Sequence, residues 1–208
     1  MQACFVFGAG PFYGLAASPA PGDVVLAADG GLRHCRAAGL RPDLLLGDFD
    51  SLDHLPEGIP HRRFPVDKDD TDTVLALKTG LEMGCGIFHL YGCTGGRMDH
   101  TLANLQALAF LARKGARGFL YDESFVFTAV TDGRLVLPAR AEGIFSVFAL
   151  AGEARGVTIR GGRYPLNDGV LSPWFPLGVS NHFQGEEVEI AVTDGCVTVG
   201  WELPASGS

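Results

Sequence analysis

The sequence predicts an α/β fold: an N-terminal, mostly parallel sheet with helices on both faces, followed by a small all-β sandwich domain. In the first part of the chain, short apolar runs alternate with helical stretches, which is typical of a parallel sheet covered on both sides. After about residue 124 the pattern changes to short strands separated by turn residues. We therefore place the two domains at residues 1–124 and 125–208.

The first domain is predicted to contain five strands and three helices. The strands cover residues 3–7, 24–28, 44–46, 87–91 and 118–121, and the helices cover residues 31–38, 71–83 and 101–114. Each helix is followed by a glycine suited to a left-handed cap, namely Gly39, Gly84 or Gly115. In the third helix an apolar stripe at helical spacing is expected to face the core: Leu102, Leu105, Leu108 and Ala112.

The second domain is predicted to be a small sandwich or barrel. Its strands cover residues 124–130, 135–137, 144–150, 157–160, 187–192 and 196–201. Turn signals separate them: Asp132-Gly133, Gly161-Gly162, Asn167-Asp168-Gly169 and Asp194-Gly195. We expect Trp174, in an irregular loop, to cover the core instead of stacking on a ligand, and both interpretations stay open for Trp201.

Composition and charge exclude several classes of protein. Of the 208 residues, 47% are hydrophobic and 19% are charged, so a real core can form. The net charge is −8 and the basic residues are scattered, so we expect no nucleic-acid partner. The apolar run at the N-terminus is too short for a signal peptide or a membrane span, and five cysteines suit a reducing compartment. We therefore expect a cytoplasmic protein without a membrane partner.

Acidic residues recur where strands of the first domain end or helices begin. They lie in the segments 28–31, 47–51, 67–72 and 95–100. Since ligands of open α/β sheets bind beyond the carboxyl ends of the strands, we expect these carboxylates around one pocket. Carboxylates so close together repel unless a cation joins them. Mg²⁺ held by carboxylates and substrate phosphates is a common arrangement.

Two interpretations compete for these acids. Asp48 and Asp50 are two residues apart, so in extended backbone both point to one face while Phe49 points into the core. That spacing favours joint metal binding, although the two acids could instead shape a polar turn. Asp72 and Asp99 lie near predicted helix starts, where capping and the helix dipole also favour acids.

Basic residues and glycines beside these acids favour a phosphate ligand. Lys68 and Arg97 can both bind phosphate oxygens. Gly95 and Gly96 allow backbone N–H groups to approach a phosphate. The chain has no GxxxxGK[ST] loop, no protein-kinase motifs and no GxSxG elbow, and its Gly8-Ala9-Gly10 segment lacks the third glycine of a dinucleotide fold. By themselves the residues predict a metal-dependent enzyme that acts on phosphates.

Taken in order, these motifs resemble those of the thiamin pyrophosphokinase family. The matching segments are Asp29-Gly30-Gly31, Gly47-Asp48-Phe49-Asp50-Ser51, Lys68-Asp69-Asp70-Thr71-Asp72 and Gly95-Gly96-Arg97-Met98-Asp99-His100. The later Gly178-Val179-Ser180-Asn181 is similar to the family's thiamine-side motif. The resemblance covers nearly the whole chain.

The resemblance implies an ATP-binding catalytic domain over residues 1–124 and a thiamine-binding sandwich over residues 125–208. It also implies a homodimer with sites between the subunits. The implied reaction transfers the terminal pyrophosphate of ATP to the hydroxyl of thiamine and gives thiamine diphosphate and AMP.

The resemblance further implies roles for individual residues. Asp48, Asp50 and Asp72 would hold Mg²⁺ and the phosphates, and Asp99 would complete the catalytic acids. The other implied ATP-binding residues are Asp29, Gly30, Gly31, Ser51, Lys68, Thr71 and Arg97. Asp72 would also lie close to thiamine and position or deprotonate its hydroxyl, and Ser180 and Asn181 would contact its pyrimidine side.

Two alternatives to this function stay open. One is a different pyrophosphate- or nucleotide-transfer enzyme on the same scaffold, since a fold and acidic loops do not define the acceptor. The other is a nucleotide or thiamine sensor that binds without turnover, although binding alone needs fewer carboxylates near a phosphate.

Overall fold

The structure is a computed structural model, and it describes residues 1–49, 56–64 and 70–204. The chain divides into two compact units. The first comprises Met1–Ala107 and Gly115–Glu123, and the second comprises Leu108–Lys114 and Ser124–Ser208. Within the described residues, no helix is long and apolar enough to cross a membrane.

A parallel sheet forms the centre of the first unit. Its strands are β1 (Ala3–Phe7), β2 (Val24–Ala28), β3 (Leu44–Gly47), β4 (His61–Arg63), β5 (Ile87–Tyr91) and β6 (Arg117–Tyr121). They lie in the order β6-β5-β1-β2-β3-β4, and neighbouring strands run parallel. Every residue of β1 and β2 is buried, as expected for central strands of a sheet covered on both faces.

Helices cover both faces of this sheet. A 3₁₀ turn (Asp29–Gly31) leads into α1 (Leu32–Ala37), and α2 (Asp72–Glu82) and α3 (Met98–Arg113) follow. Leu32 of α1 shares a core cluster with Phe5, whereas Gly80 of α2 packs against the Cys4 sulfur. Because neighbouring residues of a strand point to opposite faces, α1 and α2 lie on opposite sides of the sheet. The predicted layout of the first domain is confirmed.

Helix α3 and strand β4 of the first unit differ from the prediction. Helix α3 begins at Met98, three residues before the predicted start, so Asp99 lies in its first turn. Its predicted apolar stripe is only partly correct, since Leu108 is fully buried but Leu102 is 55% exposed. Strand β4 was not predicted, because its three residues are polar and exposed and carry no apolar pattern.

The second unit is all-β apart from the helix residues assigned to it. Its strands are β7 (Phe125–Leu137), β8 (Ile144–Phe148), β9 (Ala154–Arg160), β10 (Leu166–Leu171), β11 (Asn181–His182) and β12 (Val188–Glu202). Strand β12 pairs with β7 along its length, with β9 through its first half and with β8 through its second half. The core between these strands includes Phe145, Val157 and Ile190. The predicted fold class is therefore confirmed.

Two Asp-Gly dipeptides of this unit, Asp132-Gly133 and Asp194-Gly195, were expected to be turns, and this expectation is wrong. Both lie inside long strands, β7 and β12. Asp132 has a φ of 44°, the register shifts between Val192 and Cys196, and the Gly195 N–H donates to Asp132 Oδ1 over 3.0 Å. A bulge absorbs the extra residues, so the strands continue instead of reversing. Asn167-Asp168-Gly169 likewise lies within the irregular strand β10.

The two tryptophans have different environments. Trp174 is 90% exposed, so the expectation that it covers the core is wrong. Its backbone N–H donates to Ser172 Oγ over 3.1 Å, a local contact typical of serine in turns, and residues 173–177 around it are all exposed. Trp201, at the end of β12, is partly buried and packs against the core of the second unit.

Candidate active site

An open cavity of about 500 Å³ lies at the carboxyl end of the parallel sheet. The chain runs from β1 to β2 on one side and later returns to β5 on the other side of β1. Ligands of open α/β sheets bind where the strand order reverses in this way. The described walls of the cavity are residues 9–11 and 92–97, together with Asp29, Arg33, Thr73, His100 and Asn104.

Main chain forms one wall of this cavity. The Gly10 N–H donates to Gly92 O over 2.7 Å, and the loops after β1 and β5 run in contact. A Cβ on Gly10 would lie 2.8 Å from Gly92 O, and one on Gly92 would lie 2.6 Å from Gly8 O. No side chain fits at these positions, so the glycines allow backbone to line the cavity.

The Asp29-Gly30-Gly31 segment is a 3₁₀ turn that brings Asp29 to the cavity. A Cβ on Gly31 would lie 1.9 Å from Phe7 O, so only glycine allows the turn to approach the end of β1 this closely. Gly30 is less restricted, since its Cβ would lie 3.2 Å from the Ala9 Cβ. The structure therefore gives Gly31 a packing role and places Asp29 in the wall of the cavity.

Asp48 follows β3 next to the same turn. A Cβ on Gly47 would lie 3.4 Å from Asp29 Cα, so the two loops are in contact. Phe49 is buried, as predicted, and meets His61 edge-to-face at 5.9 Å. Its φ of 63° is not extended, however, so the premise that placed Asp48 and Asp50 on one face of extended backbone is wrong. Asp50 and Ser51 lie outside the described residues.

At the start of α2, the residue that caps the helix is not the aspartate for which a catalytic role was predicted. Thr71 is the N-cap, and its Oγ1 accepts a hydrogen bond from Val74 N over 3.3 Å. Asp70 instead pairs with Lys78 over 2.6 Å. The capping interpretation thus applies to Thr71, and Asp72 follows it in the first turn. Lys68 lies outside the described residues.

Arg97 and Asp99 form a two-point ion pair at the start of α3. Arg97 Nη2 donates to Asp99 Oδ2 over 2.6 Å, and Nε donates to Oδ1 over 3.2 Å. These hydrogen bonds lower the pKa of Asp99 to about 2. Because the carboxylate occupies the side of the guanidinium that carries Nε, the Nη1 edge can still donate to a ligand. Arg97 lines the cavity.

The side chains of these loops are of the type that binds a divalent metal, but in the described residues they do not form a preassembled metal site. Asp29, Asp48 and Asp72 supply the carboxylate oxygens that a hard cation prefers. Among the described residues, no three His, Cys, Asp or Glu side chains are close enough to hold a metal ion. Mg²⁺ usually binds one or two carboxylates with substrate phosphates, so it does not need a cage made only of protein side chains.

In the second unit, Ser180 and Asn181 have different surroundings. Ser180 is exposed, has a φ of 58°, and its N–H donates to Ser146 Oγ over 3.0 Å. Asn181 is buried, and its amide accepts from Tyr164 N over 2.9 Å and donates to Tyr164 O over 2.7 Å. Asn181 also lines a cavity of about 160 Å³ with Tyr164, Leu166 and Val179.

Several polar side chains of the first cavity were not predicted from the sequence. Arg33, Thr73 and Asn104 all line it. Asn104 is buried, and its Nδ2 donates to Cys93 O over 2.7 Å. Arg33 could have been found, since it is a basic residue directly after the acidic turn that follows a strand. Thr73 and Asn104 carried no comparable signal, because both sit within helical stretches.

The fold and the site together define a class: a two-unit α/β enzyme with a charged cavity at the switch point of its first sheet. Two family models match the chain. Thiamin pyrophosphokinase, catalytic domain, matches residues 20–120, and thiamin pyrophosphokinase, vitamin B1 binding domain, matches residues 135–197. The chain belongs to the thiamin pyrophosphokinase family. It is therefore an enzyme, a pyrophosphokinase that acts on thiamine.

Similar proteins agree with this membership. The chain is 28% identical to the thiamine pyrophosphokinase of Bacillus subtilis (strain 168) over 151 residues, which is 69% of this chain and 71% of the relative. The crystal structure of thiamine pyrophosphokinase from Bacillus subtilis matches with a TM-score of 0.87 at 22% identity, covering 98% of this chain and all of the other. Thiamin pyrophosphokinase from Geobacillus thermodenitrificans matches with a TM-score of 0.83 at 24% identity, covering 99% of each chain. At these identities the two structures support the fold.

Proposed function

We propose that the cavity of the first unit binds ATP and that the chain transfers its terminal pyrophosphate to the hydroxyl oxygen of thiamine. The observation that carries this proposal is the position of the cavity. It opens at the switch point of the sheet, inside the segment that matches the family's catalytic domain, with Arg97 and Asp29 in its walls.

The phosphates of ATP fit the walls of the cavity. Arg97 keeps an edge of its guanidinium for phosphate oxygens while Asp99 holds the other edge. Gly95 and Gly96 precede it in the wall, and glycines let a ligand approach the main chain closely. Lys68, Ser51, Thr71 and the Asp29-Gly30-Gly31 turn complete the proposed ATP-binding set.

Transfer requires the thiamine hydroxyl oxygen to attack the β-phosphorus of ATP. The bond from the β-phosphorus to the oxygen that bridges the α- and β-phosphates then breaks, and AMP leaves with that oxygen. The hydroxyl proton passes to a carboxylate, for which we propose Asp72. Base assistance of this kind contributes on the order of 10²–10⁴-fold. Arg97 offsets the negative charge that develops on the phosphate oxygens.

Mg²⁺ is the proposed metal. Asp48, Asp50 and Asp72 are the residues that would hold it together with the phosphates of ATP. When bound, it would neutralise phosphate charge and align the donor. Asp99 would contribute to the same acidic site by holding Arg97.

Thiamine is proposed to meet Ser180 and Asn181 with its pyrimidine side, in a homodimer whose sites lie between subunits. The small cavity beside Asn181 supports this, because it offers an aromatic ring at Tyr164 and apolar walls next to a buried amide. All five cysteines are free and buried, which supports a reducing cytoplasmic setting for the enzyme.

The test is release of AMP from ATP and Mg²⁺ by the purified protein, with and without thiamine. The proposal predicts thiamine-dependent AMP together with an equal amount of thiamine diphosphate. AMP without thiamine would mean a different acceptor or hydrolysis. No AMP from folded protein that still binds thiamine would favour a sensor.

A further inference from the structure

We propose that Arg33 is a second donor-binding cation of the cavity and that it favours a polyphosphate donor over AMP. The proposal rests on the proposed binding of ATP in this cavity. Arg33 reaches the cavity from the β2 side of β1, whereas Arg97 reaches it from the β5 side. The two residues therefore lie on either side of the carboxyl end of β1.

Arg33 is held in place by main chain. It lies in the first turn of α1, is exposed, and donates from Nη2 to the carbonyl oxygen of Ala9. Ala9 belongs to the loop that follows β1 and itself lines the cavity. A guanidinium has five N–H donors in a rigid fork, so this hydrogen bond orients the group and leaves donors for a ligand.

The neighbouring His34 does not accept a hydrogen bond from Arg33. His34 Nε2 lies 2.7 Å from the Gly10 carbonyl oxygen and 3.4 Å from Arg33 Nε. A carbonyl can only accept, so Nε2 carries its hydrogen toward Gly10 and cannot also accept from Arg33. Burial lowers the pKa of His34, which keeps the ring neutral. Arg33 and His34 thus tie α1 to two successive carbonyls of the β1 loop.

The described walls of the cavity contain two cationic side chains and one acidic side chain. Arg33 and Arg97 carry positive charge, and Asp29 carries negative charge. Two cations separated by the end of one strand can engage more than one phosphate of a chain, whereas AMP offers a single phosphate. Loss of Arg33 should therefore weaken the binding of a triphosphate more than it weakens the binding of AMP.

The experiment compares Arg33→Gln with Arg36→Gln. Glutamine keeps N–H donors at about the position of Arg33 Nε but removes the charge. Arg36 lies one turn along the same helix and is exposed, so it matches the charge loss away from the cavity. Binding of α,β-methylene-ATP and of AMP is measured by calorimetry, and KM for ATP and for thiamine is measured in parallel.

We expect Arg33→Gln to weaken the binding of α,β-methylene-ATP about tenfold or more and to raise KM for ATP. The binding of AMP and the KM for thiamine should change about threefold or less. Arg36→Gln should behave like the wild type. Equal losses for the triphosphate analogue and AMP, or no difference between the two variants, would overturn the proposal.

Two further measurements distinguish a binding role of Arg33 from a structural one, and distinguish failure of this proposal from failure of the proposed function. Arg33→Lys restores the charge, so it should recover part of the analogue affinity; affinity as low as that of Arg33→Gln would assign Arg33 a purely structural role. Inorganic tripolyphosphate tests the cavity without nucleotide or thiamine. If it binds the wild type but not Arg33→Gln while no thiamine diphosphate forms, Arg33 keeps its role and the proposed function fails.

Discussion

Asp72 follows a threonine that already caps its helix. Because Thr71 satisfies the Val74 N–H, Asp72 is not needed as the cap. Its carboxylate lies in the first turn, where the helix dipole favours a negative charge by about 0.3–1 kcal/mol. The residue therefore allows stability and chemistry to be measured separately.

Asp72→Asn should reduce turnover on the order of 10²-fold or more, because it removes the proposed proton acceptor and a proposed metal ligand. The free energy of unfolding should fall by less than about 1 kcal/mol. Initial rates and urea unfolding of the same preparations measure both quantities. An unfolded variant, or a folded one with full activity, would contradict the role proposed for Asp72.

Asp99 offers a second prediction, based on its contacts with Arg97. Both side chains are well exposed, at 64% and 72%, so their pairing should add little to stability. Asp99→Asn should nevertheless raise KM for ATP, since one oxygen cannot hold the guanidinium at two points. The melting temperature should stay within a few degrees of the wild type. An unchanged KM for ATP would show that Arg97 does not need Asp99.

At the scale of elements, the start of α2 is held by one hydroxyl. Thr71→Ala should lower the free energy of unfolding by about 1 kcal/mol, because it leaves the Val74 N–H without its cap. Thr71→Ser keeps the oxygen and is the matched control. Urea unfolding with an unchanged m-value measures the difference. If alanine and serine have equal stability, the cap contributes nothing.

Some secondary-structure elements could be predicted from sequence patterns and others could not. Buried strands such as β1 and β2 were predicted to the residue, since a run of apolar residues between glycines and polar residues has few other interpretations. The Asp-Gly bulges in β7 and β12 were not, because the same dipeptide makes a tight turn or a bulge depending on its partner strand. The loops that meet at Gly10 and Gly92 depend on tertiary contact in the same way.

At the scale of the whole molecule, the partly buried His89 links stability to pH. His89 stacks on Phe5 at 4.6 Å and on Phe119 at 5.5 Å, and its Nδ1 lies 2.9 Å from the Tyr121 hydroxyl. Burial lowers its pKa in the folded state. The unfolded chain therefore binds the proton of His89 more readily than the folded chain does. The contribution of His89 to stability is complete above about pH 6.5 and is lost as the pH falls below that value.

His89→Phe should make this decline shallower. The variant keeps a ring in the stack but cannot bind a proton, although removing the contact with Tyr121 should lower stability at every pH. His100→Gln, at an exposed position, is the control and should keep the wild-type slope. Thermal unfolding at several values between pH 5 and pH 8 measures the slopes. A slope in His89→Phe as steep as that of the wild type would contradict the linkage.

The molecule as a whole was easier to predict than its site. Alternation of strands and helices followed by short strands gave the order of the two units, because these periods follow directly from backbone geometry. Asp29 and Arg97 could be proposed from the sequence because charged residues just beyond the strands of a parallel sheet lie where its ligands bind, and both line the cavity. Arg33 carried a usable signal, a basic residue just after the Asp29 turn, but its contact with the Ala9 carbonyl joins two loops and has no local signature.

The most direct test of pyrophosphate transfer is the fate of labelled phosphorus. Purified protein is incubated with thiamine, Mg²⁺ and ATP labelled in either the α- or the γ-phosphate. The proposed function predicts all of the α label in AMP and the γ label in thiamine diphosphate, in equal amounts. Appearance of the γ label in inorganic phosphate, or of the α label in ADP, would contradict attack at the β-phosphorus.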